Sequence, residues 1–559
     1  MNAPTNQRTG GQVLVDQLRI HGVDTAFCVP GESYLATLDA LYDAREEIRL
    51  VVCRQEGGAA YMADAYGKLT GRPGIVFATR GPGATNASLG IHTAHQDSTP
   101  VILFLGQVAT YMLEREAFQE IDFRHMFTPM AKWVAQIDDP ARIPEMVQRA
   151  FHVATSGRPG PVVLALPEDM QRARTDASDG LRYTAIQPAP APEDMASLRD
   201  HLQRAERPLV IVGGSGWDSG AVADFRGFIE ANNLPVAAAF RRQDLYDNRL
   251  PNYVGDAGLG ISPALAKRIN DADLLLVVGA QMSETLTDGY KRFGLPVPAQ
   301  TLIHVAAGLD ELARVYEPTL AINSGMKRFA AAAAAMEPVD GGKWQAQIEA
   351  GRAEYLANRT PPASASNVDL GRLMIWLSEN LPEDAILANG AGNYSQWVHR
   401  FFTHKGYGTQ LAPQSGSMGY GVPAGVAAKL VHPDRVVVSV NGDGCFLMCG
   451  QEIATANQYG LGVVFIIVNN GTYGTIRMHQ ERDYPGRVSG TDLINPDFAA
   501  LARAYGLHGE AIDSNEAFPA AFERALNAGG PALIEIRVDP DQISPRATLS
   551  GFRKAAGIA

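Results

Sequence analysis

Short apolar runs alternate with helix-period stretches along the whole chain. That alternation is the signature of α/β architecture, in which buried parallel strands are connected by crossover helices. In the first third, strands are predicted at residues 26–29, 50–52, 74–78 and 101–105. In the middle third they fall at 208–212, 234–237, 274–278 and 301–305, and in the last third at 385–387, 436–440, 463–468 and 532–536. An alanine-rich helix is predicted over 330–336. The Pro/Ala-rich stretch 185–192 and the Pro/Ser-containing stretch 360–366 read as extended linkers. They divide the chain into three consecutive α/β domains with parallel sheets, 1–184, 193–345 and 367–559.

The 559 residues, 46% hydrophobic and 19% charged, suit a multidomain globular enzyme. A net charge of −12 argues against a nucleic-acid partner, which needs a basic face. The four cysteines, Cys28, Cys53, Cys445 and Cys449, lack the second pair that a zinc site needs, so reduced buried thiols are expected. The N-terminus is polar, without an apolar signal region, and no stretch is long and apolar enough to span a membrane. The expected compartment is the cytoplasm.

The strongest chemical signal is Asn441-Gly442-Asp443-Gly444 after one apolar run, followed by Asn469-Asn470-Gly471-Thr472 after the next. Both loops then lie at the C-terminal ends of neighbouring parallel strands, where open α/β sheets bind ligands. Asp443, Asn470 and a carbonyl near Thr472 offer hard oxygen ligands of the kind Mg²⁺ shares with phosphate oxygens. Gly442 and Gly444 allow close approach of a diphosphate. Separately, Arg54-Gln55-Glu56-Gly57-Gly58-Ala59-Ala60 follows a predicted strand and opens a small-residue helix. A carboxylate there is either a helix cap or a functional acid.

The ordered pair of loops resembles the GDG…NN signature of thiamine-diphosphate (ThDP) enzymes, and the three-domain plan resembles that of the acetohydroxyacid synthase type. The resemblance implies a pyrimidine-binding domain, a Rossmann-like middle domain and a diphosphate-binding domain. It implies Asp443, Asn470 and the Thr472 carbonyl as Mg²⁺ ligands. The diphosphate would meet Gly442, Gly444 and Cys445, the last through its backbone, together with Gly392 and Asn393. Gly416-Ser417-Met418-Gly419 resembles the segment whose Gly carbonyl and Met hold the aminopyrimidine and enforce the bent cofactor. Glu56 falls at the family's relay carboxylate, which hydrogen-bonds the pyrimidine and promotes the imino tautomer. Ala117-Phe118-Gln119-Glu120 resembles a synthase block that faces the reacting carbon, and Lys132 follows at the family's Lys position. Glu32 lies on a strand-end loop that borders the active site in this family, where it touches substrate or caps the next helix. A homodimer or homotetramer is implied, since the family draws Glu56 and the metal loop from different subunits.

The sequence also departs from that pattern. His479 replaces a Trp that selects the acceptor 2-oxo acid in the synthases; it either contacts substrate or is a solvated side chain. Asn-Gly-Thr-Tyr-Gly after Asn469 looks more like the benzoylformate decarboxylase branch. The middle domain lacks the Arg-Phe-Asp-Asp block of the FAD-binding synthases, which weighs against FAD. The leading expectation is a ThDP- and Mg²⁺-dependent enzyme that decarboxylates a 2-oxo acid and ligates the product to a second carbonyl. The alternative is a simple decarboxylase releasing an aldehyde.

Overall fold

Three segments of the chain each build a six-stranded, wholly parallel sheet flanked by helices in a computed structural model that describes residues 7–362 and 366–558. The first sheet runs Arg49–Val52, Thr25–Cys28, Gly74–Ala78, Val101–Gln107, Pro161–Pro167, Trp133–Gln136 from edge to edge. The third runs Gln410–Leu411, Ile386–Asn389, Val437–Gly442, Val463–Asn469, Ala532–Arg537, His508–Ile512. Numbered along the chain, both have the order 2-1-3-4-6-5. The middle sheet runs Tyr253–Asp256, Val236–Ala238, Pro208–Val212, Leu274–Val278, Thr301–Ala306, Leu320–Asn323, which is the Rossmann order 3-2-1-4-5-6. The first and last sheets therefore share one winding, and the middle one is wound differently.

The chain divides into two compact units, 1–186 with 426–431, and 187–425 with 432–559. In the first, the central strands Gly74–Ala78, Val101–Gln107 and Pro161–Pro167 are buried throughout. Burial on both faces is what a parallel sheet covered by helices requires. Helices Glu56–Thr70 and Gly81–Asp97 pack closely because small residues line their contact. An added Cβ at Gly90 would stand 2.3 Å from the Ala60 methyl.

In the second unit, the linker after residue 185 leads into helix Pro192–Arg204, and the Pro188 carbonyl accepts from Gly325 N–H at 3.0 Å. The alanine-rich helix forms as Met326–Ala334, and a further helix, Gln345–Asn358, packs on the edge strand Tyr253–Asp256. Arg352 on that helix donates to the Asn248 carbonyl at 2.8 Å. Residues 363–365 of the second predicted linker lie outside the described residues. No helix among the described residues is long and apolar enough to cross a membrane.

Candidate cofactor site

An order of 2-1-3 places a crevice between the ends of strands 1 and 3, because their following helices go to opposite faces. In the last sheet those strands are Ile386–Asn389 and Val437–Gly442. The ten residues that the sequence assigns to cofactor and metal in this domain line one cleft there: Gly392, Asn393, Gly416, Met418, Gly442, Asp443, Gly444, Cys445, Asn470 and Thr472. The cleft holds about 870 Å³ of atom-free space, its opening to solvent included.

Asp443 opens helix Asp443–Cys449 and is 3% exposed. Its Oδ1 accepts from Gly444 N–H at 2.9 Å; its Oδ2 accepts from Gly471 N–H and the Asn495 amide, both at 2.8 Å. Burial pushes the carboxyl up from its ordinary value, against the downward pull of those hydrogen bonds. Asn470 Oδ1 accepts from Thr472 N–H at 3.2 Å, and the Thr472 hydroxyl donates to the Thr491 carbonyl at 2.8 Å. The two strand-end loops are thus tied to each other through Asp443. Gly444 must lack a side chain, since an added Cβ would sit 2.6 Å from the Tyr473 ring.

The donor set fits a diphosphate held through a divalent cation. Among the described residues no Lys, Arg or His lines the cleft, so anionic oxygens there need a cation supplied with them. The groups present are hard oxygens, as Mg²⁺ prefers. Among the described residues no three His, Cys, Asp or Glu side chains converge into a metal cluster. Asp443 is therefore the single acidic ligand such a cation would find in the cleft.

Asn393 spends its amide inside the protein: it donates to the Ile543 carbonyl at 2.9 Å and accepts from the Thr475 hydroxyl at 3.1 Å. This pins the start of helix Tyr394–Phe401 to the start of helix Gly474–Asp483. Cys445 is a buried acceptor rather than a nucleophile. Its Sγ takes hydrogen bonds from Gly419 N–H at 3.2 Å and the Tyr394 hydroxyl at 3.4 Å, and burial raises its pKa. His479 is exposed on helix Gly474–Asp483, one turn beyond Ile476, which lines the cleft. The two share a helix face by their spacing. Glu481 on the same helix is fully buried and ion-paired to Arg477 at 3.2 Å and to Arg553 of the C-terminal helix Leu549–Ala555 at 2.6 Å.

In the first unit the equivalent crevice lies between Thr25–Cys28 and Gly74–Ala78. Glu32 and Arg80 follow those two strands and pair at 2.9 Å, and Arg80 also reaches Glu168 at 3.2 Å. Glu56 is 8% exposed and opens helix Glu56–Thr70; the cap itself is Gln55, which accepts from Gly58 N–H at 3.0 Å. The Glu56 carboxylate is thereby spared capping and instead accepts from the Asn86 amide at 2.9 Å. Gly83 leaves room for it, since an added Cβ would stand 3.0 Å from Glu56 Oε1. Phe118 is 74% exposed. Gln119 has φ +64, and its carbonyl accepts from Gly81 N–H at 3.0 Å, which braces that loop on the Arg80 turn. Lys132 instead caps a helix, donating to the carbonyls of Val153 and Ser156.

In the middle sheet the glycine turn after Pro208–Val212 is occupied by packing. The Trp217 indole donates to the Gly213 carbonyl at 2.9 Å, and Arg242 donates to that of Gly214.

Sequence reasoning missed Asn495, Tyr394 and the pairing of Asn86 with Glu56. An isolated Asn or Tyr carries no spacing signal. The Asn86 position, three residues after Gly83 at a helix start facing Glu56, was the one place where pattern could have found a partner.

Family models match along the chain in matching order: the N-terminal TPP binding domain of thiamine pyrophosphate enzymes at 8–126, their central domain at 195–333 and their C-terminal TPP binding domain at 390–536. The chain is 31% identical to the acetolactate synthase isozyme 2 large subunit of Escherichia coli (strain K12), covering 95% of each chain. It is 31% identical to the acetolactate synthase of Arthrospira platensis, over 96% of this chain and 95% of the other. It is also 31% identical to the probable acetolactate synthase large subunit of Methanocaldococcus jannaschii, over 97% of this chain and 94% of the other. Fold, domain order and these matches together place the chain in the thiamine pyrophosphate enzyme family, and its cofactor is thiamine diphosphate.

Proposed function

We propose that this enzyme decarboxylates a 2-oxo acid and ligates the acyl carbon to a second carbonyl, with ThDP and Mg²⁺. The observation that carries the metal is the cleft itself: a buried carboxylate among neutral oxygens, with no basic side chain among the described residues to meet a diphosphate. The carboligase outcome rests on similarity to acetolactate synthases over nearly the whole chain. Bound ThDP supplies the carbon nucleophile and the electron sink. Asp443, Asn470 and the Thr472 carbonyl hold the cation, while Gly392, Gly442, Gly444 and the Cys445 backbone border the diphosphate. Gly416 and Met418 fix the aminopyrimidine. Glu56 holds and returns a proton at its carboxyl, kept in place by Asn86. Glu32, Phe118, Gln119 and His479 shape substrate choice. The division at 1–184, 193–345 and 367–559, and a homo-oligomeric cytoplasmic enzyme, complete this reading.

The test is CO₂ release from a panel of 2-oxo acids, with and without ThDP and Mg²⁺. Release that needs both supports the reading; release that ignores Mg²⁺ or ThDP rejects it.

A further inference from the structure

A second pocket lies wholly within the larger unit and shares no lining residue with the cofactor cleft, although helix Tyr394–Phe401 walls both. It holds about 560 Å³ of atom-free space, its opening to solvent included. Its walls are the end of strand Tyr253–Asp256, the start of helix Pro263–Asp271, the end of helix Gln345–Asn358, helix Tyr394–Phe401 and the segment at Pro545 and Arg546.

Two arginines face it without an acidic partner. Arg400 donates from Nε to the Asn358 carbonyl at 2.6 Å and from Nη1 to the Pro545 carbonyl at 3.1 Å. Arg546 donates to the Ile261 carbonyl at 2.8 Å and to Asn358 Oδ1 at 3.2 Å. Each guanidinium carries five N–H donors, so most of each fork remains to be matched. Neither arginine forms an ion pair among the described residues. Burial lowers the pKa of both, and Arg546 lowers that of Arg400 further. Two like charges are therefore held near each other by neutral groups, carbonyl oxygens and, for Arg400, the Phe401 ring at 4.9 Å, with Arg400 half-buried and Arg546 exposed at the rim.

A third group points the same way. His399 also lines the pocket, is 6% exposed, and neither ring nitrogen has a hydrogen-bond partner among the described residues. Burial, with Arg241 and His404 nearby, lowers its pKa well below the ordinary value, so the ring is neutral and one nitrogen is a donor. A buried imidazole without a partner is costly. The start of helix Pro263–Asp271, capped by Ser262, adds positive potential at the same wall. Among the described residues the one acid lining the pocket is Asp256, which burial pushes up to about 7 and which accepts from Gly258 N–H at 3.1 Å. It carries only part of a negative charge near neutrality. Tyr355 contributes a neutral hydroxyl.

We propose that this pocket is a binding site for a diphosphate-bearing anion, gripped by Arg400 and Arg546 and hydrogen-bonded by His399. Planar guanidinium forks match phosphoryl oxygens in bidentate fashion, and two adjacent forks suit two linked phosphoryl groups better than one carboxylate. The site is separate from the cofactor cleft, so it takes a second ligand rather than ThDP.

The test is calorimetric titration of inorganic pyrophosphate, and separately of ADP, into protein already saturated with ThDP and Mg²⁺. Wild-type protein is expected to bind pyrophosphate at one site per chain. Arg546→Gln should weaken this roughly ten- to a hundredfold, the scale of one charge-assisted hydrogen bond, and Arg546→Lys should weaken it less. A thermal midpoint near wild type shows that each variant has folded; where Arg546→Gln fails this check, His399→Phe replaces it and should also weaken binding. Asp443→Ala, titrated without ThDP, should keep pyrophosphate affinity if the site is the one described. Tighter binding of ADP assigns the diphosphate to a nucleotide, and equal binding to a free diphosphate; both support the site. No binding of either probe, or equal affinity in wild type and folded variants, overturns it.

Discussion

Replacing Asp443 with Asn isolates what its charge does from what its shape does. In the folded chain the carboxylate accepts three hydrogen bonds, one on Oδ1 and two on Oδ2. An amide oxygen turned toward Gly471 and Asn495 keeps two of these and sets an NH₂ group against Gly444 N–H. One buried donor left unmatched costs about 1–3 kcal/mol. Burial already disfavours the ionised carboxyl, so the neutral amide recovers part of that. The apo-protein of Asp443→Asn should therefore melt within a few degrees of wild type. Cofactor binding should respond very differently. Removing one member of a buried charge pair costs about 3–5 kcal/mol, which is a loss of at least a hundredfold in affinity. The assay is calorimetric titration of ThDP with and without Mg²⁺. Wild-type affinity and wild-type Mg²⁺ dependence in the variant would refute the assignment of Asp443 as the metal's acidic ligand.

Glu56→Gln keeps an oxygen for the Asn86 amide, so ThDP affinity and thermal midpoint should hardly change. Turnover should fall on the order of 10²–10⁴-fold, the usual contribution of a general acid–base group; C2 hydrogen–deuterium exchange at the wild-type rate would reject the relay. His479→Trp should shift relative kcat/KM among 2-oxo acid acceptors by roughly ten- to a hundredfold with ThDP affinity intact, and an unchanged ranking would make His479 a solvated residue. The Arg553 pair holds Glu481 at about 2, below its ordinary 4.5. A depressed carboxylate stabilises the fold above 4.5 and loses that stabilisation as pH falls through about 2. Thermal melts from pH 6 down to pH 2 should therefore show Arg553→Gln less stable than wild type at pH 6 but losing less stability below pH 4.5, so that the two curves converge; parallel curves would contradict this.

The interior of each sheet was legible and its margins were not. Pro208–Val212, Leu274–Val278 and Gly74–Ala78 form at the predicted residues, because strands buried on both faces are continuous apolar runs. Five strands that sequence reasoning passed over are edges: Trp133–Gln136, Tyr253–Asp256, Leu320–Asn323, Gln410–Leu411 and His508–Ile512. Edge strands such as His508–Ile512 are half-exposed and carry polar residues, so their pattern is diluted. Pro161–Pro167, an interior strand, was hidden by the prolines at both its ends. The cofactor cleft was legible because its chemistry sits in short motifs at strand ends, where position along the chain fixes position in space. Asn495 was not, since it reaches Asp443 from 52 residues away through a loop without regular structure. Substrate contacts were hardest, because Phe118 and His479 are both exposed on the single chain and carry no packing signature of their own.

The most direct test of the central claim is identification by NMR of the products formed from 2-oxo acids by the ThDP- and Mg²⁺-saturated enzyme. The account predicts CO₂ together with a 2-hydroxyketone or 2-hydroxy-3-oxo acid built from two substrate molecules, formed only when both ThDP and Mg²⁺ are present. Free aldehyde as the sole organic product, or consumption of no 2-oxo acid in the panel, would contradict it.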